Sequence, residues 1–382
     1  MTGSWKEYNM GELVSLRQGF AVNKKSNHHI SETRTEFPLL KISDLLNGTE
    51  TLFVKRSIPS QFLVEPHEII YSRTGQVGYA FIGRKGVVYN NCFRVTPNEK
   101  IDSVFLYHLL NSEPVRELAK VLATGSAQPD LNHGAFKSIK VTIPPKSTQQ
   151  KIASILTAYD DLIENNLKRI KLLEEKAQLT YEEWFVSMKF PGHESVEIDK
   201  ETGLPEGWKK VKLEDVLTLN YGKALKASNR IQGYYSVYGS SGIVGSHNEF
   251  LINGPGVIVG RKGNVGSVFW ADDSFYAIDT VYYVTSELSL YYCYFYLKGE
   301  SFVNNDAAVP GLSRKAAYLK NAIKPSSIVI DKFEIEIQKF FDLVRNLKKQ
   351  NQLLKEARDI LLPRLMTGMI DVENLDLQEI KE

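Results

Sequence analysis

Ser72-Arg73-Thr74-Gly75-Gln76-Val77-Gly78 returns later in the chain as Gly260-Arg261-Lys262-Gly263-Asn264-Val265-Gly266, with the arginine, the valine and two glycines in the same places. On its N-terminal side, Trp5-Lys6 and Glu12-Leu13-Val14-Ser15-Leu16 return 203 residues later as Trp208-Lys209 and Asp215-Val216-Leu217-Thr218-Leu219. On its C-terminal side, Pro129-Asp130-Leu131-Asn132 and Pro144 return 181 residues later as Pro310-Gly311-Leu312-Ser313 and Pro325. The order is kept while the spacing shrinks, so the second copy has lost residues between matched blocks, where surface loops absorb deletions. The chain reads as a tandem duplication.

Each repeat has two parts. The first, 1–145 or 207–328, mixes short β-branched and aromatic runs such as Glu68-Ile69-Ile70-Tyr71 and Gly256-Val257-Ile258-Val259 with Gly and Asn turns, which predicts a β-rich globule. A few helices are expected within it, one of them over 104–122. The second part loses the turn signals: 149–189 contains no Gly or Pro and predicts a single long helix, 146–190 at its widest. Leu156, Tyr159, Ile163, Asn166, Ile170, Leu173, Ala177, Thr180 and Trp184 follow 3-4 spacing there. At 181 residues' distance so do Ile337, Phe340, Val344, Leu347, Asn351, Leu354, Arg358, Leu361 and Leu365. Both are heptad seams. Asn166 and Asn351 sit at seam positions, where a polar residue can fix register, or at a seam edge, where it would be exposed. Pro363 is expected to stop the second helix rather than kink it.

The expected fold class is therefore α+β: two β-rich globules in tandem duplication, separated by two long helices that form an antiparallel coiled coil with pseudo-twofold symmetry. The expected segments are a first globule at 1–145, a helix at 146–190, a linker at 191–206, a second globule at 207–328, a helix at 329–366 and a tail at 367–382. At ~1.5 Å per residue, helices of ~40 residues would hold the globules ~50 to 60 Å apart.

A length of 382 residues accommodates two or three domains, each with its own core, and 43% hydrophobic with 24% charged residues is a globular balance. No stretch approaches the ~20 apolar residues of a membrane span, and the first 25 residues lack the apolar core of a secretory signal, so a cytoplasmic protein without membrane contact is expected. The net charge of +2 gives no overall field, so polyanion binding must come from local patches. Cys92 and Cys293 are expected to be buried thiols.

Catalytic signatures do not emerge. Thr142-Ile143-Pro144-Pro145-Lys146 has the paired prolines of an amino-methyltransferase without the amide or acid before them or the aromatic after. The glycines of 239–245 are misspaced for a dinucleotide loop, and Gly260-Arg261-Lys262-Gly263 lacks the Lys-Ser/Thr of a phosphate-binding loop. The histidines show no ligand spacing beyond the adjacent pair His28 and His29, so no metal site is expected. Asp160-Asp161 reads as solvated charge or a helix–helix contact.

Taken together, the openings Ser4-Trp5 and Gly207-Trp208, the block 256–269, Pro129-x-Leu131-Asn132 before Ile143-Pro144-Pro145, Gln150-Lys151-Ile152-Ala153, Asp160-Asp161-Leu162-Ile163, Glu183-Trp184-Phe185 and the ending Leu361-Leu362-Pro363-Arg364-Leu365-Met366-Thr367-Gly368 resemble a specificity subunit of a Type I restriction-modification system. The resemblance covers essentially the whole chain. It implies that the globules are target-recognition domains, each reading half of a bipartite, asymmetric site in double-stranded DNA. It also implies that the helices act as a ruler and dock two modification (methyltransferase) subunits, and through them the restriction subunits. The chain would then be non-catalytic and carry no cofactor, with S-adenosylmethionine, ATP and Mg on the partners.

Loops between strands usually carry binding groups, and bases are read by Arg, Lys, Asn and Gln with hydroxyl support. On that basis the DNA-facing candidates are Lys24, Lys25, Arg73, Thr74, Gln76, Gln128, Asn132 and His133 in the first globule. In the second they are Lys223, Lys226, Asn229, Arg230, Ser240, Ser241, Arg261, Lys262, Asn264, Arg314 and Lys315. Arg73 and Arg261 are the sharpest, because they occupy equivalent places beside Gly-rich turns, although the same placement suits a residue that holds the turn. The competing reading is a scaffold without DNA, two β-rich modules on a coiled-coil rod. A subunit whose nuclease or methylase partner lies in another chain of a related modification system is a further alternative.

Overall fold

The computed structural model describes residues 5–125, 127–302, 311–373 and 375. Ser4, Pro310 and part of the tail 367–382 therefore lie outside the described residues. The chain divides into two compact units, Met1–Glu164 with Asn351–Glu382, and Asn165–Gln350.

In the first unit a four-stranded antiparallel sheet runs in the order Val14–Gln18, Cys92–Pro97, Ile69–Ser72, Ala80–Phe81. All four residues of Ile69–Ser72 are buried. Side chains alternate across a strand, so Ile69 and Tyr71 enter the main core with Phe93, Phe105 and Phe136, while Ile70 enters a smaller cluster with Leu40, Leu45 and Val88. A strand covered on both faces needs a continuous apolar run, which is why Ile-Ile-Tyr shows no polar alternation. Lys6–Asn9 pairs antiparallel with Lys140–Ile143 and closes the globule.

The second unit repeats this plan. Its sheet runs Thr218–Tyr221, Val281–Thr285, Gly256–Gly260, Val268–Ala271, and Lys209–Lys212 pairs with Asn321–Lys324. Gly256–Gly260 is again buried throughout, with Val257 and Val259 on one core and Ile258 on the other. A three-stranded sheet, Gly242–His247, Tyr235–Gly239, Phe275–Ala277, sits beside it. The chain is α+β, with two such domains in tandem and a long helix between them.

The long helices are Lys146–Tyr181 and Ser327–Met366, 36 and 40 residues, or ~54 and ~60 Å at the α-helical rise. Each unit contains part of both, and within each unit the parts run antiparallel. In the first, Asn351 donates to the Ile163 carbonyl at 3.3 Å and Arg358 meets Asp160. In the second, Asn166 donates to Gln350 Oε1 at 3.4 Å, and Ile170 and Leu173 pack on Val344 and Leu347. Both seam asparagines are buried rather than exposed. Leu156, Ile163, Ile170, Ile337, Val344 and Leu347 are buried, and Tyr159, Leu173, Phe340 and Leu354 are half-buried.

Three expectations about helices need correction. The helix expected over 104–122 is two, Ser103–Asn111 and Glu113–Leu122, because Pro114 has no N–H to continue the first and Ser112 turns extended between them. The helix expected to reach 189 is regular only to Tyr181, then widens into a π-turn at Glu182–Val186. That turn buries Trp184 and Phe185 in the second unit's core, where Trp184 lies tilted to the Phe333 ring at 5.7 Å and Phe185 meets it edge-on at 4.8 Å. Pro363 does not stop its helix. The helix continues to Met366, so that Leu365 and Met366 reach the first unit's core and Gly368 comes against the Trp5 indole.

Candidate nucleic-acid interface

The repeated turn follows the buried central strand of each sheet. Its positive-φ positions are glycines, Gly75 (φ 78°) and Gly78 (φ 100°) in one copy, Gly263 (φ 78°) and Gly266 (φ 77°) in the other, because a Cβ is strained there. The arginine that opens the turn is held alike in both copies. Arg73 N–H donates to the Asn91 carbonyl and its own carbonyl accepts from Leu131 N–H, each at 2.9 Å. Arg261 N–H donates to the Thr280 carbonyl at 2.9 Å and its carbonyl accepts from Leu312 N–H at 2.8 Å. The backbone thus delivers an arginine to the same place in both units.

The side chains then diverge. Arg73 is half-buried over the Phe93 ring, 5.3 Å from its centroid. It pairs with the Asp130 carboxylate and also donates to Gln18 Oε1 (3.2 Å) and the Leu131 carbonyl (3.3 Å). Thr74 donates to the other Asp130 oxygen at 2.6 Å. His133 stands edge-on to Phe93 at 4.5 Å, and burial with the nearby Arg73 and Lys137 lowers its pKa, so the imidazole is neutral at pH 7. Asn132 caps the short helix behind it, accepting from Ala135 N–H at 2.9 Å.

In the second unit Arg261 lies 4.9 Å from the Tyr221 centroid and 5.8 Å from that of Tyr282, and donates to the Asp279 carbonyl at 3.0 Å. Arg314 lies 5.1 Å from the same Tyr221 ring. These groups, with exposed Lys262 and Lys315, line an open cleft of about 660 Å³. The hairpin tip at Ser240 abuts the turn, its carbonyl accepting from Ser267 Oγ at 2.6 Å, and Ser241 next to it is exposed. Arg230 is half-buried and pins the neighbouring hairpin by donating to the Val244 carbonyl at 2.6 Å.

The structure therefore brings together Arg73, Thr74 and His133 in one unit, and Ser240, Arg261, Lys262, Arg314 and Lys315 in the other. Gln76, Gln128, Asn264, Lys223, Lys226 and Asn229 are exposed, and no contact among the described residues ties Lys24 and Lys25 to the Arg73 cluster. Sequence reasoning missed Gln18, Phe93, Asp130, Tyr221 and Tyr282. Gln18 and Tyr221 occupy equivalent strand positions, paired in register with Phe93 and Tyr282. That equivalence is visible in the repeat, and Asp130 lies inside the repeated block 129–132. Among the described residues no group of three His, Cys, Asp or Glu could hold a metal ion. Among them no helix is long and apolar enough to cross a membrane.

The family model of the Type I restriction modification DNA specificity domain matches residues 3–175 and 205–314, once in each unit's globule. The chain belongs to this family. Its two globules are DNA specificity domains. The MjaIX specificity subunit of a type I restriction enzyme from Methanocaldococcus jannaschii is 27% identical over 340 residues, 80% of this chain and 78% of that one. The HindI specificity subunit from Haemophilus influenzae is 30% identical over 197 residues, 48% of this chain and 41% of that one. A crystal structure of the S subunit of a Type I restriction-modification system from M. genitalium shares the fold, with a TM-score of 0.62 and 17% identity over 95% of this chain and 96% of that one.

Proposed function

We propose that this chain is the sequence-reading, non-catalytic subunit of a Type I restriction-modification complex, and that its two specificity domains each read one half of a bipartite, asymmetric site in double-stranded DNA. The observation that carries this reading is that one backbone frame is presented twice with different side chains on it. Gln18 stands where the second domain has Tyr221, and Asp130 where it has Gly311. Two unlike readers imply two unlike half-sites, which the family resemblance puts at about three to five base pairs each. The major groove recurs every ~34 Å, so long helices of fixed length suit a fixed unread gap, which the resemblance to Type I specificity subunits puts at about five to eight base pairs. In this reading the helices dock two methyltransferase subunits and, through them, the restriction subunits. S-adenosylmethionine, ATP and Mg act on those partners, and the complex works in the cytoplasm.

The test is the genome-wide adenine methylation made by this chain with its methyltransferase, before and after exchange of residues 1–145 for another subunit's equivalent. A bipartite motif in which only one half changes is expected, with two methyltransferase copies per chain on copurification. A continuous palindromic motif, or a change in both halves, would overturn the two-reader account. No sequence-dependent binding of duplex by the complex would favour the DNA-free scaffold instead.

A further inference from the structure

The two domains place an arginine at the same point of the same turn and give it opposite electrostatic surroundings. Around Arg73 the charge is closed: Asp130 neutralises it, Gln18 and the Leu131 carbonyl take further donors, and only 18% of its side chain is exposed. Around Arg261 the position of Asp130 is Gly311, that of His133 is Arg314, that of Thr74 is Lys262 and that of Gly134 is Lys315. Four positive side chains thus meet at one cleft, and among the described residues no carboxylate lies within ion-pair distance of any of them. Two guanidinium groups within 5.1 Å of one tyrosine centroid repel each other unless an anion lies nearby. Guanidinium forks match the paired oxygens of a phosphate diester. Both guanidinium groups lie within cation–π reach of the Tyr221 ring, which holds them on the same side of the cleft.

Building on the DNA-reading function proposed above, we infer that the Tyr221 cleft is a phosphodiester clamp by which the second domain grips the DNA backbone, and that the first domain has no working counterpart. The second half-site is then held by more ionic contacts than the first, and the salt sensitivity of the whole complex comes disproportionately from residues 207–328. Such contacts position the duplex without reading it. Arg73, spent within its own domain, holds the 129–131 segment in place.

The experiment uses the chain assembled with its methyltransferase. Binding of a duplex carrying the methylated motif is measured from low to moderate salt, for the wild type and for the triple variant Lys262→Gln, Arg314→Gln, Lys315→Gln. These side chains are exposed and outside the core, and a thermal melt of each complex checks folding. Arg314→Lys, which keeps the charge and loses the fork, is the milder companion.

The triple variant is expected to weaken binding at least tenfold at low salt and to reduce the slope of log K against log salt by about 2.7, at ~0.9 for each of the three charges removed. Arg314→Lys should fall between it and the wild type, and the methylated sequence should stay the same. An unchanged affinity and slope in a folded triple variant would overturn the clamp, as would an altered base preference in either half-site. Inorganic phosphate at matched ionic strength should leave wild-type binding unchanged. Competition by it would mean that the cleft takes free phosphate instead. Failure of the wild-type complex to select any duplex would remove the DNA-reading function itself, a result distinct from failure of the clamp.

Discussion

Arg358 on the second long helix donates from Nη1 to Oδ1 of Asp160 on the first at 2.6 Å. The other Asp160 oxygen stands 3.9 Å from Nε2 of His108, on the globule helix Ser103–Asn111. Three helices of the first unit therefore meet at one charge cluster. Both charged side chains are about 30% exposed, so the pair is shielded enough from water to matter and is not merely solvated.

Asp160→Ala leaves Arg358 without its closest partner, and is expected to lower the stability of the first unit by about 1–3 kcal/mol. Asp161→Ala alters an exposed neighbour and should stay within about 0.5 kcal/mol of the wild type. Thermal unfolding compares the two, and equal shifts would show that the helix contact is not what Asp160 supplies.

His108 is buried, and desolvation holds its pKa down to about 4, with the Asp160 carboxylate opposing that shift and Arg358 adding to it. Unfolded, the imidazole takes its proton near 6.5. Between these values the unfolded chain binds more protons, so stability is fully present above pH 6.5 and declines as pH falls toward 4. His108→Gln should flatten the denaturant midpoint over that window. A slope as steep as that of the wild type would assign the loss to other groups.

Gly19 and Gly222 stand 203 residues apart, at the ends of equivalent strands, and neither tolerates a side chain. A Cβ would lie 2.1 Å from the Tyr89 carbonyl oxygen in the first case and 2.0 Å from that of Ile278 in the second. Gly19→Ala and Gly222→Ala are each expected to cost about 3 kcal/mol or more, because backbone must move to make room. Gly299→Ala, with nothing within 4 Å of the new atom, should be neutral or slightly stabilising. Denaturant titrations rank the three.

Cys92 and Cys293 are both fully buried, and burial pushes both thiols up, that of Cys293 to about 11. Neither should react with an aromatic disulfide reagent at pH 8 while the chain is folded, and two thiols per chain should appear on denaturation. Rapid labelling of the native protein would reveal an opening of one of the two cores.

The glycine pair and the arginine pair differ in how far the sequence explains them. That a turn recurs at 72–78 and 260–266, and that an arginine opens it, was legible because both depend on residues a few positions apart. The correspondence of Gln18 with Tyr221 could be counted along the repeat, but nothing local marked either as lying beneath or beside an arginine. Asp130 was legible as part of a matching block and illegible as the partner of Arg73, 57 residues earlier. The helix break at Ser112 was readable from Pro114, and the end of the second long helix was placed at 366, although Pro363 was expected to act as its stop. Leu365 and Met366, just beyond that proline, gain a hydrophobic core by continuing, and that core comes from the other end of the chain.

The sequence by itself determined the duplication, the buried central strands and the two long helices. Strand and helix periods of 2 and 3.6 residues, and the repeat of whole blocks, are carried by neighbouring residues and need no knowledge of what lies across the fold. Only the tertiary structure decided what each equivalent arginine is for. A guanidinium takes its role from the charge nearest to it, and chain closure rather than spacing along the chain sets that charge: Asp130 beside Arg73, and Tyr221 with Arg314 beside Arg261.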